Sequence, residues 1–552
     1  MKKTSARTAE KPGPAALTWL SRILLAGVFL DLLFILYLIL TGFPPEFLGW
    51  KIGLKNIRKP FHLGLALFLV SLLVHPDRKE KIRNAMKGLE QWTAKPSAIW
   101  ILVGVYSALF LWQQIAEYLA VDVNFIPFGF YDYILYYVFQ GKINYTGWLH
   151  GFYHVNNILI LLAPLWFFFQ SSLFLTVIYG PLAALAALPL YGIAKHKFSE
   201  SFVPFFVAFV YLNYRYLQNA LQMNFCVELF YPLFVFSAVF FALKSRWALY
   251  YLMVFLGLLV KEDSFIYFAP VGALVFFLPR GRIHGALTVA GSIFYFLFAV
   301  KVFIPATGST ILRGDVQNFR HYGGSSESLL HQFAAKPGTV LEVLFGKPEK
   351  IRTLFKLVSR LAFLPLFSPA GLLILAGVFP LFMHGDVNFV DLRFQYAAAV
   401  LPFVFIAFVF GFANLSGKIR GEGRKTFLWV ACVVLTFANG GHYATAKITR
   451  QTLESIRWAK QIPAGANVVT HGHLLPYVGY RPYNYYFAVP FESRKNPAHE
   501  AFANADYYLI DFHVNPYPMD REYLEKKVQR LSRDRNYTLA AEEGGRYLFK
   551  RK

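Results

Sequence analysis

Residues that could do chemistry concentrate in a few short segments between long apolar runs. The triplet Lys261-Glu262-Asp263 interrupts two such runs, and each charge at the centre of a bilayer would cost about 2.5–3.5 kcal/mol. At a membrane edge the cost falls. There the lysine could bind a phosphate or a carboxylate, while the acids hold the lysine or a metal ion. A tight charged turn between two helices explains the triplet equally well.

Acids and a histidine follow the third apolar run. Asp132 stands in an aromatic segment, residues 130–133, and Asp122 and Glu117 are its nearby rivals. A carboxylate near a low-dielectric membrane edge can keep a raised pKa and serve as a general base. His154 could orient a phosphate or ligate a metal ion. Solvated loop acids, helix caps and a hydrogen-bonded structural histidine are the alternative interpretations.

Two further segments are rich in polar groups. Glu228 opens an apolar run, where it could bind sugar hydroxyls, complete a metal site or simply favour a helix start. Arg313, Arg320, His321 and Tyr322 stand in a glycine-rich segment, and arginine matches phosphate geometry with paired donors.

Other chemical signals are weak. His471 and His473 flank one glycine, which favours a structural role over a metal site, and Cys226 and Cys432 suggest neither a disulfide framework nor a thiolate site. The sequence contains no P-loop, serine-histidine-aspartate set or zinc signature, so ATP-driven chemistry is unsupported.

The elements that must position these residues are membrane-spanning helices. The chain has 552 residues, of which 56% are hydrophobic and 16% charged, against about 25% charged in soluble domains. The apolar runs predict a polytopic α-helical membrane protein with about 13 spans, the first of them uncleaved. Their expected positions are residues 17–41, 60–75, 97–116, 171–194, 201–216, 229–243, 246–260, 264–279, 285–303, 351–367, 369–383, 397–415 and 425–441.

Charge is distributed unequally between alternate loops. One set collects lysine and arginine, whereas the other collects the acids, histidines, amides and aromatics. Cytoplasmic loops are rich in cations. The N-terminus is therefore predicted to be cytoplasmic, and the polar segments are predicted to share the outer face. The net charge of +24 is then explained by the topology of the chain and by attraction to anionic lipid headgroups, rather than by binding of nucleic acid. Residues 51–59 are an exception, because they are basic but are assigned to the outer face. The weakest predicted span is 351–367, because it contains Lys356 and Arg360. The basic set of loops consists of residues 78–95, 195–197, 244–246, 280–282 and 418–425.

Three regions are expected along the chain. Residues 1–96 hold a helix pair and a basic cytoplasmic loop, and residues 97–445 form the transmembrane core with outer loops 117–157 and 305–350. Residues 158–169 are too short to span comfortably and are expected to be re-entrant or to lie at the outer surface. The pattern changes at 452–552, which predicts a small extracytoplasmic α/β domain.

The order of several landmarks resembles the bacterial domain-of-unknown-function family 2079, predicted membrane proteins grouped with GT-C-type glycosyltransferases. The resemblance runs from about Asp122 to Leu415, and a small tail domain is also typical of the family. The family's Lys-Glu-Asp triplet matches Lys261-Glu262-Asp263 directly. Four shorter landmarks are similar to Tyr131-Asp132 through Gly141, His154 with Ala163-Pro164-Leu165, Pro305 to Gly308 with Gly323-Gly324-Ser325, and Gln395-Tyr396.

The resemblance implies a GT-C-like fold and an inverting transfer of sugar from a polyprenyl-phosphate carrier to an acceptor, at the outer face of the bacterial inner membrane. It implies Asp132 or Asp122 as the base, and it assigns the carrier phosphate to Lys261 and Arg320. The resemblance places the remaining substrate-binding side chains around these residues. A divalent cation is optional, and no residue is assigned as a metal ligand. That remaining set is His154, Glu228, Glu262, Asp263, Tyr322, Gln395 and Tyr396.

Two positions depart from the family pattern. Its earlier first-loop aspartate falls on Pro127, and its Asp-Phe-His-x-Glu motif stands here as Asn224-Phe225-Cys226-Val227-Glu228. The loss of a carboxylate and an imidazole weakens a metal role. It keeps open the alternative of a catalytically inactive membrane scaffold. A transporter or flippase of lipid-linked sugars is the other alternative, and Lys356 and Arg360 are the main features that favour it.

Overall fold

The computed structural model describes most of the chain as helices packed side by side, followed by a small mixed sheet. Among the described residues, five helices are long and apolar enough to cross a membrane, and six shorter apolar helices accompany them. The described residues are 13–42, 46–47, 50–51, 57–123, 131, 134–135, 138, 155–169, 173–306, 335–383, 387–463, 465–478, 484–486, 502–517 and 519–552.

The helices follow the apolar runs of the sequence closely. The longest begin or end at residues suited to that place: Pro96 starts its helix, and Gly42, with φ of 67°, closes the first by donating to Leu38 O at 3.0 Å. The helices are α1 Pro14–Thr41, α2 Arg58–Val74, α3 Arg78–Ala94, α4 Pro96–Leu119, α5 Ile158–Phe169, α6 Leu173–Leu185, α7 Ala187–Lys197, α8 Phe202–Leu212, α9 Arg215–Leu221, α10 Phe230–Leu243, α11 Trp247–Leu258, α12 Phe265–Phe276, α13 Arg282–Phe298, α14 Gly338–Phe345, α15 Pro348–Ser359, α16 Leu372–Met383, α17 Val387–Val390, α18 Tyr396–Gly417, α19 Glu422–Asn439, α20 Arg450–Lys460 and α21 Arg521–Arg533.

The basic loops gather at one end of the helix bundle. Lys425 pairs with Glu90 at 2.9 Å, Arg424 pairs with Glu200 at 3.3 Å, and Ser201 Oγ donates to Glu90 O at 2.9 Å. We call this the basic end. Helix α4 starts there beside α3, and its 24 residues carry the chain about 35 Å to the opposite end.

The opposite end carries the polar segments and the tail, and we call it the polar end. His473 Nδ1 lies 2.8 Å from Val123 O just beyond α4, and Ile158 N donates to Leu259 O at 2.8 Å. Gly42 lies so close to Ala446 that a Cβ would stand 2.0 Å from its carbonyl oxygen. Helix α18 runs between the two ends through the most buried part of the bundle.

The predicted span at residues 351–367 is not one continuous helix. Helix α15 ends at Ser359, Ala362 and Phe363 have positive φ, and a short 3₁₀ turn covers Leu364–Phe367. The expectation of an unbroken span is corrected here. The lysines and arginines that make this stretch amphipathic cannot all face lipid, and Pro365 stands just after the break.

The chain nevertheless passes along the bundle within this broken segment. Lys350 Nζ, at its start, lies 5.9 Å from the ring centroid of Phe382, near the polar end of α16. Phe367 O, at its end, accepts from Asn414 Nδ2 at 3.2 Å, near the basic end of α18. Successive passages of the chain therefore still alternate between the basic end and the polar end of the bundle.

The short helix α5 has both of its ends toward the polar end. It starts beside Leu259, and its last residue, Phe169, stacks on Phe174 at the start of α6, with ring centroids 5.6 Å apart. This placement agrees with the expectation of a re-entrant or surface-lying segment.

Residues 450–552 contain α20, α21 and a five-stranded sheet. Near the start of the chain, two antiparallel strands of two residues each form a separate small sheet. The sheet has the order β4-β3-β5-β7-β6, with β3 parallel to β4 and β5, and β7 antiparallel to β5 and β6. Val469, Tyr508, Ile510, Leu524 and Phe549 are buried together as its core. The strands are β1 Glu46–Phe47, β2 Trp50–Lys51, β3 Val468–Thr470, β4 Asn484–Tyr486, β5 Tyr507–Asp511, β6 Tyr537–Glu543 and β7 Arg546–Arg551.

Candidate functional site

The predicted Lys-Glu-Asp triplet forms the turn between α11 and α12 at the polar end. Lys261 Nζ lies 3.5 Å from Asp263 Oδ2 and 3.9 Å from Glu228 Oε1, and the side chains of Lys261 and Glu228 keep only 14% and 12% exposure. Glu262 is buried. We call these four residues, Glu228, Lys261, Glu262 and Asp263, the lysine cluster.

Hydrogen bonds from three segments hold the lysine cluster in place. Ser264 Oγ accepts from Lys261 N at 3.1 Å and lies 2.8 Å from the hydroxyl of Tyr231 on α10. The segment before α5 is fastened to the same turn: Val155 N donates to Glu262 Oε2 at 2.7 Å, and Asn156 Nδ2 donates to Val260 O at 3.0 Å. The turn is thus a fixed scaffold rather than a loose surface connection.

Charge in the lysine cluster is unbalanced toward the negative. Burial lowers the pKa of Lys261, but the nearby Asp263, Glu228 and Glu262 carboxylates outweigh it, so that its pKa stands well above the usual value. Among the described residues, one ammonium therefore faces three acids. Glu228 Oε2 is buried without a hydrogen-bond partner among the described residues. Such a site favours a cation or the hydroxyl groups of a polar ligand more than an isolated anion.

A second acid lies at the end of α4. Glu117 accepts from Gln113 Nε2 at 3.1 Å and from Asn224 Nδ2, while Gln114 Nε2 donates to Leu221 O at 3.0 Å. All four of these side chains are buried. We call Gln113, Gln114, Glu117 and Asn224 the glutamate cluster.

A strained turn links the two clusters. Asn224 adopts φ of 62°, a conformation that non-glycine residues rarely adopt and asparagine tolerates best. Four residues later Glu228 enters the lysine cluster. Between them, Cys226 Sγ lies 3.0 Å from the hydroxyl of Tyr179, and Phe225 packs against Tyr131 with ring centroids 5.1 Å apart.

Asp122 lies where α4 meets the tail. The Asp122 side chain keeps an exposed surface, yet desolvation by the groups packed around it raises its pKa, and the neighbouring His473 works in the opposite direction. Burial also lowers the pKa of His473, which the contact with Val123 O and the charge of Asp122 partly offset. Tyr477 OH donates to Tyr118 O close by. The tail therefore covers the Asp122 side of the polar end.

The structure brings together part of the predicted site. Glu228, Lys261, Glu262 and Asp263 form one cluster, and Asp122 lies at the same end of the bundle. Gln395 and Tyr396 start α18, where Tyr396 stacks on Phe389 with centroids 3.8 Å apart. The predicted residues Asp132, His154, Arg313, Arg320, His321 and Tyr322 lie outside the described residues.

Sequence reasoning gave little weight to the glutamate cluster. Gln113 and Glu117 stand four residues apart on one helix face, a spacing that could have indicated the pair. Asn224 was visible only as a departure from a family motif. The two tail histidines serve different contacts, since His471 Nε2 accepts from Asp511 N at 2.9 Å. No group of three histidine, cysteine or acid side chains in the described part of the chain is placed to hold a metal ion.

Comparison with known proteins yields a family and one solved structure of interest. The oligosaccharyltransferase of Archaeoglobus fulgidus, crystallised in complex with Zn and sulfate, is similar with a TM-score of 0.35 and 14% identity. The match covers 70% of this chain and 63% of the archaeal chain, so it spans less than two thirds of that protein. No curated protein matches. Residues 127–548, more than half of the chain, match DUF2079, described as a predicted membrane protein. The chain therefore belongs to the DUF2079 family of multi-pass membrane proteins.

Proposed function

We propose that this protein is a GT-C-type glycosyltransferase of the bacterial inner membrane. It would take a sugar from a polyprenyl-phosphate carrier and transfer it to an acceptor at the outer face. One observation carries the proposal: the buried lysine and glutamate clusters share the end of the bundle opposite the basic loops. Since cation-rich loops face the cytoplasm, the clusters would face outward.

The reaction needs a base and a held leaving group. A carboxylate removes the proton of the acceptor hydroxyl, and the acceptor oxygen attacks the anomeric carbon. The bond from that carbon to the phosphate oxygen breaks, its electron pair leaves with the carrier phosphate, and the anomeric configuration inverts. Asp132 is the first candidate for the base and Asp122 the second. Desolvation by the groups packed around Asp122 raises its pKa, which suits proton transfer, although His473 works against this shift.

The lysine cluster would bind the sugar rather than the phosphate alone. Lys261 is already engaged by Glu228 and Asp263, so a bare phosphate would meet two neighbouring negative charges. Carboxylates accept hydrogen bonds from sugar hydroxyls without such a penalty. A divalent cation placed between these acids and the phosphate would turn the repulsion into attraction. Without such a cation, Arg320 is the proposed partner of the phosphate.

The changes in the family motif do not remove function in this proposal. Asn224 donates to Glu117, a bond that an ionised aspartate could not make. The amide therefore holds one acid in place where a second acid would repel it. Cys226 packs at Tyr179 rather than facing a metal site.

The test follows carrier release by the full chain in lipid nanodiscs. Wild type, Asp132→Asn, Asp122→Asn and the control Asp391→Asn would be incubated with a polyprenyl-phosphate-linked sugar and a mixture of acceptors, with and without Mg²⁺. Native mass spectrometry would report bound carrier. Release by wild type and Asp391→Asn, with loss in Asp132→Asn or Asp122→Asn, supports the proposal. Release that survives in both variants contradicts the role assignment, and no carrier binding contradicts the function.

A transporter of lipid-linked sugars remains the second candidate because of the broken segment. Helix α15 stops at Ser359, and Arg360 follows within the bundle. Interrupted helices with an internal charge are typical of transporters. Movement of a lipid-linked sugar across vesicle membranes by wild type, with no sugar transfer to any acceptor, would favour this candidate.

A further inference from the structure

The sheet of the tail has a strand order that creates a crevice at one of its edges. Strand β3 lies between β4 and β5 and is parallel to both, so the chain adds one strand on one side of β3 and the next on the other side. In open α/β sheets, ligands bind outside the carboxyl ends of the strands at the point where the strand order reverses. In the tail, that point lies between the ends of β3 and β5.

Polar side chains stand at this point. His471 directly follows β3, Asp511 is the last residue of β5, and His513 comes two residues later. His471 Nε2 accepts from Asp511 N at 2.9 Å, which joins the two strand ends. His473 Nδ1 lies 2.8 Å from Val123 O, beyond α4, so this edge of the sheet faces the polar end of the bundle. We call the site formed by His471, Asp511 and His513 the tail crevice.

Asp511 fixes the imidazole ring of His513. Its Oδ1 accepts from His513 N at 2.9 Å and from His513 Nδ1 at 3.1 Å. Its Oδ2 accepts from Arg546 Nε at 3.0 Å, and Arg546 Nη1 donates to Glu454 Oε2 at 3.3 Å. The side chains of Asp511 and Arg546 are only 1% and 4% exposed. Because an ionised carboxylate only accepts hydrogen bonds, Nδ1 carries the proton and Nε2 keeps its lone pair.

The ring of His513 remains accessible. Its side chain keeps 28% exposure, whereas His471 is buried. Among the described residues, the contacts of His513 are made by Nδ1 and by the backbone rather than by Nε2. Gly545, with φ of 87°, lies beside the ring, and a Cβ at this position would stand 3.6 Å from His513 Cε1. The ring therefore presents a hydrogen-bond acceptor whose orientation is set by a buried acid.

The surroundings indicate which ligand would suit this acceptor. Phe512 packs edge-on against Tyr547, with ring centroids 5.9 Å apart, and both rings are half-buried. Ligand sites commonly combine aromatic side chains with a few oriented polar groups. The charges of Asp511 and Arg546 balance each other, so the crevice offers no excess charge to an ion. A neutral molecule with hydroxyl donors and an apolar face has the matching chemistry, and a sugar has both.

We propose that the tail crevice binds a neutral carbohydrate, with a hydroxyl group of the ligand donating to His513 Nε2. Asp511 and Arg546 are positioning residues that hold the ring. The site stands apart from the proposed glycosyl transfer, because it contains no residue of the lysine or glutamate cluster and its occupation requires no lipid-linked donor.

The experiment measures the accessibility of His513 in the full chain, purified into nanodiscs without a lipid-linked donor. Diethyl pyrocarbonate modifies accessible, unprotonated imidazole nitrogens, and peptide mass spectrometry would give the rate at each histidine. The probes are glucose, galactose, N-acetylglucosamine and their disaccharides. His75 is the matched control, since it follows α2 at the basic end and its Nδ1 also lies near an acid two residues later, 4.0 Å from Asp77 Oδ2. Native mass spectrometry would compare saccharide binding by wild type, His513→Phe and His513→Gln.

His513 should react faster than His471 in wild type. A saccharide at ten times its Kd leaves about one tenth of the crevices free, so it should slow the reaction at His513 about tenfold and leave His75 unchanged. His513→Phe, which keeps a ring without the acceptor, should bind the saccharide about threefold to tenfold more weakly, and His513→Gln, which restores an acceptor, should bind more tightly than His513→Phe. The proposal is overturned if none of the probes protects His513, if His75 is protected equally, or if His513→Phe binds as wild type does.

Discussion

Replacing Lys261 by methionine tests whether the lysine cluster is a buried charge network or an exposed turn. The change keeps the side-chain length and removes the ammonium between Glu228 and Asp263. Breaking a buried ion pair costs about 3–5 kcal/mol, because the remaining charge stays buried without compensation. Asp263 keeps 32% exposure. We therefore expect the lower end, about 3 kcal/mol of lost stability at neutral pH.

The difference in stability between wild type and Lys261→Met should depend on pH. The pKa of Lys261 is raised above its ordinary value of 10.5. Its contribution is therefore complete below that value and is lost only when the pH rises through the higher folded value. In Lys261→Met, the buried acids should bind protons more readily in the folded state than when unfolded. Acidification from about pH 8 to about pH 5 should then restore stability to the variant.

The measurement is thermal and detergent-induced unfolding in nanodiscs across this pH range. Lys425→Met is the matched control, because it breaks an ion pair with Glu90 in which the lysine is 48% exposed. Such pairs contribute about 1 kcal/mol or less. If Lys261→Met unfolds like Lys425→Met at every pH, the triplet is a solvated turn and the reasoning about the cluster is wrong.

Three other changes test the packing, the tail and the orientation. Gly180→Ala should destabilise the bundle by about 1–3 kcal/mol, since its Cβ would stand 2.7 Å from the backbone of α4, whereas Gly104→Ala, with nothing within 4 Å, should not; unfolding temperatures compare them. Arg546→Gln should expose the tail to proteolysis while the helix bundle stays protected, because this arginine, 4% exposed, pairs with a buried aspartate at 3.0 Å. Single cysteines at Lys81 and Lys526 should react with an impermeant thiol reagent from opposite sides of intact vesicles, since both native cysteines are buried; labelling from one side would refute the orientation.

The helix pattern was largely readable from the sequence because lipid selects long apolar runs. Twelve of the expected spans correspond to helices within a few residues, such as 397–415 for Tyr396–Gly417. The prediction at 351–367 differs from the structure because the mean hydropathy of a segment does not show on which face of a helix its charged residues lie. In the tail, the sequence predicts strands at residues 467–470, 507–511 and 546–550, which correspond to β3, β5 and β7. It does not predict β4, Asn484–Tyr486, or β6, Tyr537–Glu543. Neither shows the alternation of apolar and polar residues that predicts a strand.

The candidate site was only partly readable, for a different reason. A triplet such as Lys261-Glu262-Asp263 is adjacent in sequence, so its turn could be anticipated. The bond from Asn224 to Glu117 joins residues 107 apart. Contacts of that range depend on how the helices pack, which no local pattern encodes.

The charges of the lysine cluster bear on which part of a lipid-linked sugar it would suit. Among the described residues, three acids stand around the single ammonium of Lys261. In the proposed transfer, the hydroxyl groups of a sugar would meet carboxylate acceptors there, whereas a bare phosphate would be repelled by Glu228 and Asp263. The lysine cluster therefore suits the sugar of the proposed donor, and the carrier phosphate would need cations from another segment.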